Sequence, residues 1–249
     1  MPIFLITPTG ARRDQFALCA KWMKRQTYSD DVVWVIVDDA YPVTTNNVGE
    51  GFKDKWTIVR IHPTPIWAGE NTQGRNIKAG IDFVKENYKR EEVSAIFIIE
   101  DDDFYKPHYL QRMMELKGTF DIWGETNTIY YNVGCRRFAD NNNKAHSSLF
   151  QTAFTYDVIP VLEMYYSHKF IDAAIWAAVR NRFLFHDGTL SIGMKGMPGR
   201  GGIGAGHSKA MTMPSDISMG ALKSMIGEDY KEYERYYGEI HSRPLFRTR

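Results

Sequence analysis

The 249-residue chain sets 31 Lys and Arg against 30 Asp and Glu, a net charge of +1, with 43% hydrophobic and 24% charged residues. That composition is ordinary for a soluble globular enzyme, and the charge balance leaves no global field to draw the protein to nucleic acid or an anionic membrane, though it allows a local basic patch. Cys19 and Cys135 lack metal-ligand spacing, and no apolar run reaches the ~18 residues of a membrane span. The opening MPIFLITPTG turns polar too soon for a secretory leader, so reduced thiols and a cytoplasmic location are expected.

In chain order, Ile3–Ile6 reads as a strand ending at the turn signal Thr7-Pro8-Thr9-Gly10. A helix follows from about Arg12 to Arg25, with Phe16, Cys19, Ala20 and Met23 as its buried stripe. Val32–Val37 is a continuous apolar run, the pattern of a central parallel strand covered on both faces, and it ends at Asp38-Asp39. Thr57–Ile61 is a third strand. From Thr72 to Tyr88, Ile77, Ile81, Val84 and Tyr88 recur at helical spacing. Ala95–Ile99 is another buried strand, stopping abruptly at Glu100-Asp101-Asp102-Asp103, and Pro107 opens the next helix. This alternation predicts an α/β fold with a mostly parallel sheet and right-handed crossovers.

Further on, Ile122–Val133 and Leu149–Thr155 read as strands and Lys169–Phe183 as one long helix. Gly193–Gly206 holds seven glycines and one proline in fourteen residues, which predicts a mobile loop. The tail from Ser215 reads as helical, with Gly227 as a stop. The whole is expected to be one domain, 1–118 forming a nucleotide-sugar-binding half and 119–249 an acceptor-side half.

Four consecutive carboxylates at the mouth of a buried strand repel one another, each close pair by about a kcal/mol or more. A cation relieves this, and carboxylate oxygens suit Mg²⁺ or Mn²⁺ bridging to phosphate; a solvated acidic turn is the alternative. Ligands of open α/β sheets bind beyond the carboxyl ends of strands.

The stretch FIIEDDDFYKPHYL resembles the DXD region of GT-A glycosyltransferases, in particular the inverting family two. The resemblance implies a GT-A-like fold and transfer of a sugar from a UDP-type nucleotide-sugar donor, with Mn²⁺ or Mg²⁺ as cofactor. It implies metal ligation by Asp102 and Asp103, with Glu100, standing where the family usually has Asp, nearer the ribose or the metal and Asp101 beside it. LITPTGARR matches the family's first strand and turn, which places Thr7, Pro8, Thr9 and Arg12 (or Arg13) at the donor. Asp38 matches the acid that ends the second strand and meets base or ribose. Arg75 and Asn76 match the pair that faces the nucleotide. Asp172, in HKFIDAAIW, stands where the family keeps its general base, with Ile171 in place of a frequent neighbouring acid; a helix-start Asp serving the dipole is the alternative.

In the glycine-rich segment, Lys195 and Arg200 could neutralise the leaving group, and His207 (or His186) could complete the metal shell. It is no P-loop, because no Gly-Lys-Ser/Thr ends it. Trp123, Tyr130 and Tyr131 could wall the acceptor or simply fill the core. The acceptor itself is open: a glycan, a protein, a small molecule or, on the strength of Arg136-Arg137, Lys195, Arg200, Lys209 and the Arg243–Arg249 tail, a hydroxymethylated DNA base. Oligomeric state is not readable. Rival readings are a nucleotidyltransferase, whose Gly-rich basic run LITPTGARR only partly fits, and a non-catalytic nucleotide- or sugar-binding domain.

Overall fold

Seven strands make the central sheet, and its inner strands are written almost wholly in apolar residues. The computed structural model describes residues 1–41, 43, 45, 51–63, 72–198 and 212–237. Its first part runs β1 (Ile3–Thr9), α1 (Arg13–Lys24), β2 (Val32–Asp38), β3 (Trp56–Ile61), α2 (Gln73–Asn87), β4 (Ala95–Ile98), β5 (Phe104–Tyr105) and α3 (Tyr109–Leu116). Next come β6 (Ile122–Glu125), β7 (Ile129–Asn132), β8 (Arg137–Asp140), β9 (Thr152–Phe154), α4 (Ile159–Glu163), α5 (Ile171–Ala178), β10 (Arg182–Phe185), β11 (Ser191–Lys195) and α6 (Gly220–Ile226).

The large sheet has the order β10-β6-β9-β4-β1-β2-β3. All pairs are parallel except those of β9, which runs antiparallel to both β4 and β6. A second, four-stranded sheet has the order β5-β11-β7-β8. Because side chains alternate along a strand, the large sheet buries a different core on each face. Ile3, Leu5, Trp34, Ile36 and Phe97 meet Phe16, Cys19, Trp22 and Met23 of α1, together with the second sheet and α6. Phe4, Ile6, Val35, Val37, Ile96 and Ile98 meet Ile77, Ile81 and Val84 of α2 and the residues of α4 and α5. At roughly 1.5–3 kcal/mol per buried large apolar side chain, these two cores dominate the folding free energy.

Strand order fixes where a ligand can sit. The β1–α1–β2 crossover moves to one side of β1 and covers one face; the β3–α2–β4 crossover returns to the other side of β1 and covers the other. The chain therefore reverses between β1 and β4, and this topological switch point opens a crevice at the carboxyl ends of those two strands.

Several expectations are corrected. β1 does not stop at Ile6 but continues through Thr7-Pro8-Thr9 beside β2. Ile122–Val133 is two strands in two sheets, broken where Asn127 takes φ 55°. Leu149–Gln151 is a 3-10 turn ahead of β9. The helix begun at Ile171 ends at Ala178, and β10 follows, because the backbone of Asn181 accepts the N–H of Asp121 and Phe183 and Leu184 pair with Trp123 and Gly124. Gly193 and Lys195 are not loop but buried strand, paired with Tyr130 and Asn132. Residues 199–206 of the glycine-rich segment lie outside the described residues. No described helix is long and apolar enough to cross a membrane.

Candidate functional site

The acids that follow β4 are held in place by apolar anchors on both sides. Ile96–Ile99 is wholly buried before them, and Phe104 and Tyr105 are each 1% exposed after them. The turn between must therefore present its side chains at the switch-point crevice. Asp101, Asp102 and Asp103 are buried there, with Glu100 at the rim. Ligand oxygens of Glu100, Asp102 and Asp103 lie within 4.8 Å of one another, the one such grouping among the described residues.

Each carboxylate has its own surroundings. Asp101 accepts the Thr9 hydroxyl at 2.6 Å and pairs with Arg12 Nη1 at 2.9 Å. Arg12 Nη2 reaches Asp102 at 2.5 Å. Asp103 Oδ1 accepts the Met194 N–H at 2.9 Å and Lys195 Nζ at 3.0 Å, and the same Nζ stands 3.8 Å from Asp102. Asp103 Oδ2 is buried with no hydrogen-bond partner among the described residues. Glu100 Oε1 accepts Gln73 Nε2 at 2.9 Å, while its N–H donates to the Tyr105 hydroxyl at 2.9 Å.

Burial and mutual repulsion set the charges. Desolvation raises Glu100 to about 7, with Lys195 opposing and Asp102 adding to the shift. It raises Asp101 to about 6 against the pull of Arg12, and raises Asp103 against the pull of Lys195. Burial alone would lower the Arg12 and Lys195 pKa values, but the surrounding carboxylates outweigh it and both cations are held charged. Among the described residues, four carboxylates thus face two resident cations, a formal excess of two negative charges there. Hard oxygen donors, that excess and the unmatched Asp103 oxygen fit a divalent cation of the Mg²⁺ or Mn²⁺ type.

The other sequence-predicted residues divide into two groups. Asn76, in the first turn of α2, donates from Nδ2 to the Thr9 carbonyl at 3.2 Å, binding that helix to the end of β1. Asp38 ends β2, buried, with its carboxylate accepting the Ala40 N–H at 3.0 Å, and the Asp39 N–H donates to the Thr9 carbonyl. Asp172 lies in the first turn of α5; burial raises its pKa, against the Ala173 N–H and His146, and its charge is close enough to raise Glu100. Thr7, by contrast, accepts the Trp34 indole N–H at 2.8 Å inside the core, and Pro8 is buried in β1. Arg13 and Arg75 are exposed. His186 acts on Glu125 and is not among the clustered ligands. Trp123 and Tyr131 are core residues, whereas Tyr130 packs its ring against Lys195. Arg200 and His207 lie outside the described residues.

Sequence reasoning missed Gln73 and Tyr105, which position Glu100, and the buried carboxylate of Glu125, which accepts Gln151 Nε2 and the Leu190 N–H. The signal for Glu125 was an acid closing an otherwise apolar strand, IWGE.

The chain has the GT-A glycosyltransferase fold. Its solved structural neighbours include S. aureus TarS, at 10% identity and a TM-score of 0.59 over 78% of this chain and 37% of that one. They also include TarS residues 1–349 with UDP, at 11% identity and TM-score 0.60, and with UDP-GlcNAc, at 11% and 0.58, again over 78% of this chain. The chain spans 60% and 59% of those two structures, less than two thirds of their length. No protein-family model matches the sequence, and no curated protein matches it.

Proposed function

We propose that the protein is a divalent-cation-dependent glycosyltransferase that takes a sugar from a UDP-type donor and transfers it with inversion. The observation that carries this reading is the Glu100, Asp102 and Asp103 trio at the switch point between β1 and β4. Support comes from the fold, from neighbours crystallised with UDP and UDP-GlcNAc, and from the ring of Thr9, Arg12, Asp38, Asn76 and Lys195 around the crevice. As for rival readings, a nucleotidyltransferase lacks support in the β1 turn, where Arg12 is spent on Asp101 and Asp102. A non-catalytic binding domain would have no use for a half-buried Asp172 at the start of α5, close enough for its charge to act on Glu100.

Glu100, Asp102 and Asp103 would hold the cation, which when bound supplies positive charge to the diphosphate leaving group. Arg12 keeps Asp101 and Asp102 oriented. Asp38 and Thr9 border the place for ribose and base, and Lys195 stands by to offset charge on the leaving diphosphate. Asp172 takes the acceptor hydroxyl's proton as that oxygen bonds to the anomeric carbon and the bond from that carbon to the diphosphate oxygen breaks.

The acceptor is unassigned. The DNA reading loses part of its basis, since Arg136 stacks on Tyr237 and bonds the Ile217 carbonyl while Arg137 bonds the Met213 carbonyl, tying the tail down. Lys209 and Arg243–Arg249 lie outside the described residues.

The test is hydrolysis and thermal-shift screening of UDP-sugars with and without Mn²⁺. Cation-dependent turnover of at least one UDP-sugar is expected; stabilisation by none, with or without Mn²⁺, rejects the assignment.

A further inference from the structure

Lys195 ends β11 at 5% exposure. Its ammonium lies 3.0 Å from Asp103 and 3.8 Å from Asp102, and the rings of Tyr130 and Phe150 enclose it at 5.6 and 5.8 Å. Both of its carboxylate partners belong to the trio that can ligate a cation. An ammonium and a divalent ion therefore compete for the same oxygens. The ammonium cannot simply be left behind, because stripping a buried charge of its partner is strongly unfavourable. Arg12 is placed differently. It keeps Asp101, which is outside the trio, whatever happens to Asp102. Among the described residues, Lys195 is thus the cation that has to find a new anion when a metal ion enters, and a diphosphate docked in the same crevice is such an anion.

We propose that Lys195 is a resident counter-ion that makes divalent-cation binding conditional on a nucleoside diphosphate. In the ligand-free protein it holds Asp102 and Asp103 against the ion, and it passes to the diphosphate when the two arrive together. This rests on the donor reading above and adds a rule for the order of occupation. The cost of moving Lys195 is borne once, by the pair of ligands, so each ligand tightens the other, as reciprocal linkage requires.

The test is a Mn²⁺ titration followed by the electron paramagnetic resonance of the free ion, with and without UDP. Wild-type protein should bind Mn²⁺ weakly alone and on the order of tenfold or more tightly with UDP. Lys195→Met should bind Mn²⁺ alone on the order of tenfold more tightly than wild type, and the gain from UDP should shrink correspondingly. Lys195→Arg, which keeps the charge, should behave as wild type. If Lys195→Met does not fold, Lys195→Gln carries the same expectation. If wild type binds Mn²⁺ with UDP but neither neutral variant binds the ion alone any tighter, the counter-ion role is overturned and the donor reading stands. If wild type binds Mn²⁺ neither alone nor with UDP, both fall.

Discussion

Asp172 and Arg12 show how the same burial serves two ends. As the proposed base, the Asp172 carboxyl must be ionised to accept a proton, and burial raises its pKa against the Ala173 N–H and His146. The acidic limb of the rate profile should therefore lie above the ordinary aspartate range near ~3.9. Since only the carboxylate form accepts the proton, kcat should fall as pH drops through that raised value. Asp172→Asn should lower kcat by roughly 10²–10⁴-fold with UDP affinity retained, as read by steady-state kinetics and UDP titration; loss of UDP binding instead would make Asp172 a donor ligand. Arg12 bridges two buried carboxylates: its removal takes the guanidinium from Asp101 and Asp102, 1% and 6% exposed, while Thr9 stays on one and Lys195 stays 3.8 Å from the other. Arg12→Ala should cost about 3 kcal/mol or more of unfolding free energy in urea. Arg12→Lys should restore only part of it, because a point charge cannot serve both carboxylates as a fork does.

The elements that sequence patterning found were those whose local rule and tertiary setting agree, such as α2 with its 3.6-residue stripe and β2 with its unbroken apolar run. Pro8 was read as part of the turn signal Thr7-Pro8-Thr9-Gly10. It sits in β1 at the point where the ladder to β4 stops: the Ile99 N–H still reaches the Ile6 carbonyl, and Pro8 has no N–H to make the next bond. Gly193 was read as flexible, yet its lack of a side chain serves close packing: a Cβ there would stand 2.4 Å from Tyr130 Cδ1. No rule local to either residue contains that information. The same geometry yields a prediction on α2. At Gly80, Ala would gain about 1 kcal/mol in helix propensity. Its Cβ, however, would lie 2.6 Å from Ile6 Cγ2 in the packed core, and overpacking costs roughly 1–3 kcal/mol. Packing should win, so Gly80→Ala should be destabilising by about 1 kcal/mol in chemical denaturation; a more stable variant would show that α2 can lift from β1 at no cost.

At the scale of the molecule, a chain with a net charge of +1 gathers four carboxylates at the one point where its sheet reverses direction. The acids were legible because they are consecutive in sequence; Arg12, Lys195 and Asp172 join them only through β1, β11 and α5, so their pairing was not. That concentration of carboxylates is what the proposed cation would offset, together with the diphosphate that brings it a further anion. At a hundred times its dissociation constant, a ligand adds about 2.7 kcal/mol to the stability of the folded state. For a domain of this size each kcal/mol raises the melting temperature by about 2–4 °C, so UDP with Mn²⁺ should raise it by roughly 5–10 °C. Asp102→Ala should remove the Mn²⁺-dependent part of that shift and leave any UDP-only part, because Thr9, Asp38 and Asn76 do not depend on the ion. Differential scanning fluorimetry with UDP alone, Mn²⁺ alone and both separates the contributions. If Asp102→Ala kept the full Mn²⁺-dependent shift, the cation would be bound elsewhere, and the switch-point carboxylates would be a buried charge network serving the fold alone.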